Sequence, residues 1–289
     1  MNDPAARLLL AAHDQAAAVP PLLLAARDLA ASLTAGLHGR RQSGRGDQFW
    51  QFRRTQPGDS IAKVDWRQSA KSDHLFVRET EWAAAQCVWL WADPSASMAW
   101  ASAPVLPRKS QRAALLIMAL AVLLSDGGER VALLNGQDTP GTGPLTLARI
   151  AERLSAPQAA KTPLPQDVAP RRGPVIVASD FLHPPEKVEQ SLRALAAAGV
   201  HGCLLHILDP AEIEFPFSGR LRFQGLEDDG QMLASRAETL ADGYRAALSA
   251  HRDFLTGLAA RLNWTIITHR TDEAPSVPLL ALHAALGRG

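Results

Sequence analysis

The sequence predicts an α/β fold in which a mostly parallel sheet carries helices on both faces, with a small β-rich element before it. Three apolar runs carry this prediction: residues 87–92, 174–180 and 202–209. Each is apolar almost throughout and leads directly to an aspartate, which is typical of a central strand covered on both faces. Helical segments separate the runs, and strands that alternate with helices form βαβ units with right-handed crossovers.

The remaining elements follow in chain order. Pro20 and Pro21 precede apolar residues at helical spacing and Gly36 follows them, so a helix is expected at 22–35. Alternating residues near Trp50 and Val77 predict short strands in the Gly- and Arg-rich stretch after this helix. Further strands are expected at 130–134 and 264–269, a hairpin at 219–233, and helices at 112–124, 145–154, 185–198 and 277–287, with one long helix or two at 234–262.

Composition excludes several classes of protein. The 289 residues are 47% apolar, and 30 Lys and Arg face 29 Asp and Glu, so neither a disordered chain nor a generally basic nucleic-acid binder is expected. Cys87 and Cys203 lie in apolar runs and predict buried thiols in a reducing compartment. No apolar run reaches the roughly 18 residues of a membrane span, and no signal peptide is recognisable, so a cytoplasmic protein is expected.

The motif Asp93-Pro94-Ser95-Ala96-Ser97 directly follows the first predicted central strand. Ligands of open α/β sheets bind beyond the carboxyl ends of strands, and an Asp with two hydroxyls suits a hard cation such as Mg²⁺. Asp180, at the end of another predicted strand, adds a second carboxylate. The alternative is that Asp93 and the serines cap the following helix, a role these residue types favour.

The motif and the segment before it resemble known families. Asp93-x-Ser95-x-Ser97 with Asp180 resembles the metal-ion-dependent adhesion site of von Willebrand factor A-like domains, which have a Rossmann-type sheet. Pro57-Gly58-Asp59 followed by Asp65-Trp66 is similar to the signature of the bacterial family called domain of unknown function fifty-eight. The chain is therefore expected to divide into a helical segment at 1–36, a β-rich element at 37–82 and, as the resemblance implies, an A-like domain at 83–289.

The resemblance also implies a ligand set and a kind of chemistry. Asp93, Ser95, Ser97 and Asp180 match the metal-binding positions, with Thr142 as the candidate threonine ligand and Thr146 as its alternative. The expected ion is Mg²⁺ or Mn²⁺, bound weakly if the threonine is missing. In the A-like family the open position of the metal accepts a carboxylate from a protein partner, which is binding rather than turnover.

The β-rich element allows several interpretations of its own. Asp59 and Asp65 are expected to accept backbone hydrogen bonds or to pair with arginines, and Trp66 to bury its ring, in a structural clamp. Arginines and aromatic residues at 40–54 could bind a nucleic-acid strand, but interleaved aspartates and the balanced charge favour a local ion-paired surface. A protein-docking surface is the intermediate alternative, because Arg and Trp are enriched in binding hot spots.

The sequence therefore supports a non-enzymatic interaction module with a metal site. By resemblance, such proteins accompany MoxR-type AAA+ ATPases as adaptors or chaperone-like partners that act on a client protein. The alternative is a metal-dependent hydrolase that uses Asp93 and Asp180 to position a metal-bound water. The sequence has no nucleophile elbow, phosphate-binding loop or zinc-protease motif, which disfavours an enzyme.

Overall fold

The computed structural model describes residues 20–38, 49–56, 64–71, 74–80, 86–134, 138–156, 173–226 and 230–287. Two compact units divide the chain: Leu37–Ala85 forms one, and Met1–Gly36 with Gln86–Gly289 forms the other. The strands are β1 (Phe49–Arg54), β2 (Phe76–Thr80), β3 (Cys87–Ala92), β4 (Arg130–Leu133), β5 (Val175–Ser179), β6 (Gly202–Leu208), β7 (Leu221–Gln224), β8 (Gln231–Ala234) and β9 (Thr265–Arg270). The helices are α1 (Pro21–His38), α2 (Trp66–Ser69), α3 (Lys109–Asp126), α4 (Gly143–Ser155), α5 (Pro185–Ala197), α6 (Pro210–Glu214), α7 (Ala241–Arg261) and α8 (Ser276–Leu286).

The larger unit is built on a five-stranded sheet in which every neighbouring pair is parallel, in the order β4-β3-β5-β6-β9. The central strand β5 is buried along its whole length, which explains its continuous apolar sequence. The predicted α/β fold with a mostly parallel sheet and helices on both faces is confirmed, and it is Rossmann-like.

Alternate side chains of the strands point into two separate cores. On one face, Leu90 and Ile176 pack in a cluster with apolar residues of α1, α3, α4 and α8. On the other face, Trp89 and Val177 pack with residues of α5 and α7. Helix α3 is buried over most of its surface, as expected for a helix that is apolar on nearly every side.

The strand order creates a switch point at the centre of the sheet. From β3 the chain crosses to β4 on one side, whereas β5 and the strands after it extend the sheet on the other side. A crevice forms beyond the carboxyl ends of β3 and β5, where the two connections diverge, and this is the preferred ligand position in such sheets.

An insertion between β6 and α7 contains α6 and the antiparallel hairpin β7–β8. The hairpin agrees with the turn expected at 219–233, whereas α6 was not anticipated. The segment expected as helix from residue 234 instead ends a strand and makes a short 3₁₀ turn at Ala237–Leu240, so α7 begins only at Ala241.

The smaller unit pairs β1 with β2 in antiparallel fashion and places α2 before β2. Asp65 caps α2 through a 2.9 Å bond from the Gln68 N–H, which is the backbone-accepting role expected of it. The expectation that Trp66 buries its ring is wrong, because Trp66 is 61% exposed in the first turn of this four-residue helix. Asp59 and residues 40–48 lie outside the described part of the chain.

The two thiols differ in their surroundings. Cys203 is buried as expected, and burial raises the pKa of its thiol to about 12. Cys87 is only half-buried, because it begins β3 at the edge of the core. In the part of the chain that the structure describes, no helix is both long and apolar enough to cross a membrane.

Candidate metal-binding site

The two aspartates singled out in the sequence lie side by side at the switch point. Asp93 follows β3 and its N–H donates to the Ala178 carbonyl at 2.9 Å, which extends the ladder between β3 and β5 by one residue. Asp180 directly follows β5. Asp93 is 2% exposed and Asp180 1%, and the two carboxylates are close enough for the charge of Asp180 to raise the pKa of Asp93.

Hydrogen bonds from its own loop and from β5 hold the Asp93 carboxylate. Its Oδ1 accepts the Ser95 N–H at 2.8 Å, and its Oδ2 accepts the Ser179 hydroxyl. His183 Nε2 lies 3.7 Å from the same Oδ2. Burial raises the pKa of Asp93, the negative charge of Asp180 raises it further, and the Ser179 and Ser95 hydrogen bonds only partly oppose this.

The two serine hydroxyls of the motif meet beside the carboxylates. Ser95 Oγ and Ser97 Oγ are 3.1 Å apart, both residues are buried, and Ser97 also hydrogen-bonds to Asp180. Ser95 precedes a 3₁₀ turn at Ala96–Ala99 but its side chain makes no capping bond. The serine hydroxyls therefore do not cap the helical turn, which was the alternative interpretation of the motif. Asp93 does form a local turn, in which its Oδ1 accepts the Ser95 N–H.

Lys109, the first residue of α3, places an ammonium group between Asp180 and a third carboxylate, that of Glu212. Its Nζ lies 2.8 Å from Asp180 Oδ2 and 2.5 Å from Glu212 Oε1, and the lysine is 1% exposed. Burial disfavours both charges, but the contact outweighs it, so the pKa of Lys109 is raised and that of Asp180 is lowered. A resident cation therefore compensates Asp180, whereas no Lys or Arg of the described residues forms an ion pair with Asp93.

Glu212 is fixed in place by the start of α6. Its Oε2 accepts the Asp209 N–H at 2.7 Å, while Asp209 Oδ1 accepts the Ala211 N–H at 2.9 Å, which is a reciprocal capping box. Asp209 Oδ2 also accepts the Ser102 N–H at 2.9 Å and so ties down the loop that leads to α3. Glu212 and the loop before Lys109 are thus held by one buried aspartate.

The threonine candidates lie at the other edge of the sheet. Gly141 bridges to Val131 at the amino end of β4, and the Gly143 N–H donates to Ser125 Oγ at 2.8 Å near the end of α3. From Lys109 to that serine, α3 rises about 24 Å at 1.5 Å per residue. Thr142 and Thr146, which flank this contact, are therefore not brought together with Asp93, Ser95, Ser97 and Asp180.

The motif opens onto a cavity of about 490 Å³. Asp93 and Ser95 line one part of it, and Arg108, Gln111 and Leu154 line others. No hydrogen bond or ion pair connects the Arg108 guanidinium to another described residue, and Arg108 is exposed. An anionic group that enters this cavity would therefore meet a free cation near the motif.

Sequence reasoning missed Lys109, Ser179 and Glu212. Ser179 stands beside Asp180 in a predicted strand, and its position just before the strand end was the available signal. Lys109 and Glu212 lie in unrelated segments, and only the fold brings them to the aspartates. Among the described residues, no three His, Cys, Asp or Glu side chains gather as a metal cluster, so hydroxyls would have to complete any site.

The fold and this site define a Rossmann-like α/β protein with buried carboxylates at its switch point. Residues 51–254 match the family described as Protein of unknown function DUF58. The chain therefore belongs to that family, which confirms the resemblance carried by its Pro-Gly-Asp and Asp-Trp motifs.

Several relatives accompany the family match. Uncharacterized proteins of Mycobacterium tuberculosis and Mycobacterium bovis are 28% identical over 291 residues, covering 95% of this chain and 90% of each relative. A crystal structure of the conserved hypothetical protein BatB from Bacteroides thetaiotaomicron is 14% identical, with a TM-score of 0.36 and coverage of 71% of this chain and 100% of that chain.

Proposed function

We propose that this chain is a non-enzymatic, metal-dependent protein-interaction module of the von Willebrand factor A-like type. The observation that carries the proposal is the meeting of Asp93, Ser95, Ser97 and Asp180 in one buried space at the switch point. Asp93 and Asp180 come from different strands, so the fold and not the motif alone assembles this set of oxygens.

The donor atoms suit a small hard cation. Carboxylate and hydroxyl oxygens are the ligands that Mg²⁺ and Mn²⁺ prefer. Neighbouring ligands of an octahedral Mg²⁺, each about 2.1 Å from the ion, lie about 3 Å apart. The 3.1 Å between Ser95 Oγ and Ser97 Oγ matches that spacing. The ion would compensate the charge of Asp93, which Lys109 leaves uncompensated.

Two features favour weak binding. Lys109 already occupies Asp180 Oδ2, so a divalent ion competes with an ammonium for that carboxylate. Neither candidate for the threonine that completes A-like sites is near Asp93, since Thr142 and Thr146 lie beside the far end of α3. We therefore expect Asp93, Ser95 and Ser97 to hold the ion, with Asp180 acting through water.

A metal with an open position would bind a carboxylate of a protein partner. The cavity beside Asp93 and Ser95 is large enough to admit an acidic side chain, and Arg108 at its wall would add a second contact to the carboxylate. On the resemblance to the A-like domains of this family, the partners are a MoxR-type AAA+ ATPase and its client protein. The module then works as an adaptor and carries out no turnover.

Metal binding is tested with Mn²⁺ alone, by isothermal titration calorimetry and by the loss of free-ion signal in electron paramagnetic resonance. We expect wild type to bind and Ser97→Ala to bind at least tenfold more weakly. Ser110→Ala is the matched control, because Ser110 lines the same cavity but is not in the donor set. Equal binding by all three proteins, or none by wild type, would overturn the metal site.

Partner binding is tested by retention of the MoxR-type ATPase on the immobilised chain, in Mg²⁺ and in EDTA. We expect retention in Mg²⁺ that Asp93→Ala abolishes. Equal retention in Mg²⁺ and in EDTA, and by wild type and Asp93→Ala, would refute the adaptor mechanism. Metal-dependent hydrolysis of a phosphoester that Asp93→Ala abolishes would instead establish the hydrolase alternative.

A further inference from the structure

A second concave surface has a lining different from that of the cavity at Asp93. The groove, about 920 Å³ in volume, is formed by α6, the β7–β8 hairpin and the start of α7. Its wall is mainly apolar and aromatic, with contributions from Trp100, Phe215, Phe217, Phe223, Met232 and Tyr244. None of the residues that line it lines the cavity at Asp93, so the two surfaces can be tested separately.

The aromatic rings of the groove form one connected wall. Phe215 lies at its base, 7% exposed, with ring-centre distances of 4.8 Å to Tyr244 and 5.2 Å to Phe217. Phe223 of β7 closes the set at 5.6 Å from Phe217. Because the rings support one another, the wall is preorganised for a ligand, which lowers the entropy lost on binding.

The hairpin side of the groove leaves large apolar side chains in water. Leu226 is 49% exposed and Met232 51% exposed, and both line the groove. Clustered exposed apolar residues beside a concave aromatic wall are typical of a protein-binding surface. Methionine in particular adapts its shape to different apolar partners.

Charge indicates which partner fits. Glu212, the carboxylate on the groove wall, has one oxygen on Lys109 and the other on the Asp209 N–H, so it is already satisfied. Arg222 of β7 lines the groove, is exposed, and makes no hydrogen bond or ion pair with any described residue. Among the described residues that line the groove, Arg222 thus supplies a cation without a carboxylate partner, which complements an acidic group.

We infer that this groove docks a peptide segment of a partner protein in which one or two large apolar side chains stand next to an acidic residue. The apolar side chains fill the space between Phe215, Phe223 and Met232, and the carboxylate pairs with Arg222. This docking needs no metal and goes beyond the proposed function, since it uses residues outside the donor set.

The test is a selection of random twelve-residue peptides displayed on phage against the full chain in EDTA. We expect enriched peptides to combine Leu, Phe or Trp with a neighbouring Asp or Glu. Their affinity is then measured by fluorescence anisotropy on wild type and on Met232→Glu. Met232 is half-exposed, so this substitution preserves folding, and Leu145→Glu, 88% exposed on α4, is the matched control.

The expected result is at least tenfold weaker binding to Met232→Glu and unchanged binding to Leu145→Glu. Arg222→Glu should bind the acidic peptide more weakly than wild type does. It should bind more tightly than wild type a version of the peptide in which Lys replaces the acidic residue. Enrichment of basic peptides, equal binding by all variants, or no enrichment would overturn the inference. A shift from dimer to monomer in Met232→Glu, seen by sedimentation, would instead assign the groove to a second copy.

Discussion

Lys109 Nζ lies 2.8 Å from Asp180 Oδ2, and each of these side chains is only 1% exposed. The ammonium also contacts Glu212, so one buried cation serves two carboxylates. Such a charge is tolerated inside a protein only while its partners remain in place. The candidate metal site therefore already contains a cation, and this cation forms an ion pair with Asp180 rather than with Asp93.

Replacing Lys109 with Met should destabilise the protein strongly. The substitution keeps the apolar stem but leaves Asp180 and Glu212 buried without a cation, which costs about 3–5 kcal/mol in comparable cases. Urea unfolding in EDTA measures the loss of free energy. Lys187→Met on α5 is the control, since Lys187 is exposed and its loss should change stability by less than about 0.5 kcal/mol.

The same variant reports on the metal. With the ammonium gone, Mg²⁺ should stabilise Lys109→Met more than it stabilises wild type, because the ion no longer competes for Asp180. Equal stabilisation of both proteins by Mg²⁺ would argue that Lys109 and the ion occupy unrelated positions.

The two aspartates should respond oppositely to removal of their charge. Burial and the neighbouring Asp180 raise the pKa of Asp93 above its ordinary 3.8, so its ionised form costs stability at neutral pH. Asp93→Asn should stabilise the metal-free protein by about 1 kcal/mol at pH 7. This gain should shrink as pH falls through the raised pKa, because wild-type Asp93 then becomes neutral in the folded state.

Asp180 is predicted to behave in the reverse manner. Burial alone would raise its pKa, but Lys109 holds the pKa below 3.8, so its charge contributes stability above that pH. Asp180→Asn should destabilise by about 3 kcal/mol at pH 7, and the deficit should shrink as pH falls below 3.8 through the lowered pKa. Urea titrations in EDTA from pH 3 to pH 8 measure both variants. Effects of the same sign would contradict this division of charge.

Substitution of the threonine candidate should leave metal binding unchanged. Thr142 is exposed at the amino edge of the sheet, beside the end of α3 that is distant from Asp180. Thr142→Val should therefore titrate with Mn²⁺ as wild type does. A tenfold loss of affinity in this variant would mean that the loop after β4 rearranges to reach the ion.

His206 on β6 should make the protein acid-sensitive. Burial, with a smaller contribution from His251, lowers its pKa from 6.5 to about 3, and its ring nitrogens bond to no described residue. Between those two pH values His206 is protonated in the unfolded chain but neutral in the folded protein. The free energy of unfolding therefore falls on acidification by up to about 1.4 kcal/mol per pH unit.

His206→Leu should therefore unfold at lower pH than wild type, as followed by circular dichroism. The control is His201→Leu, because His201 is exposed and its removal should leave the acid transition in place. An unchanged transition in His206→Leu would show that another buried group governs acid unfolding.

The sheet was predictable because its central strands are continuous apolar segments of the sequence. Val175 and its neighbours form an unbroken apolar run, and the aspartate after each run marks the carboxyl edge where the site lies. The proximity of Ser95 to Ser97 and of Ser97 to Asp180 also follows from the sheet, since strand ends in a parallel sheet meet at one edge.

Long-range partners were not predictable in the same way. Lys109 carries no local pattern that distinguishes it from a surface lysine, and its burial follows only from the packing of α3 against the sheet. Thr142 was misjudged because the sequence does not show whether the chain after β4 stays at the carboxyl edge or turns back. The bridge between Gly141 and Val131 shows that it turns back.

The ion pair of Lys109 also has a consequence for biosynthesis. Asp180 follows Lys109 by 71 residues and Glu212 follows it by 103. A nascent chain that ends before residue 212 lacks one of the two counter-charges, so full insertion of the start of α3 would bury an incompletely compensated ammonium. Complete charge compensation of the Lys109 ammonium therefore requires the chain as far as Glu212.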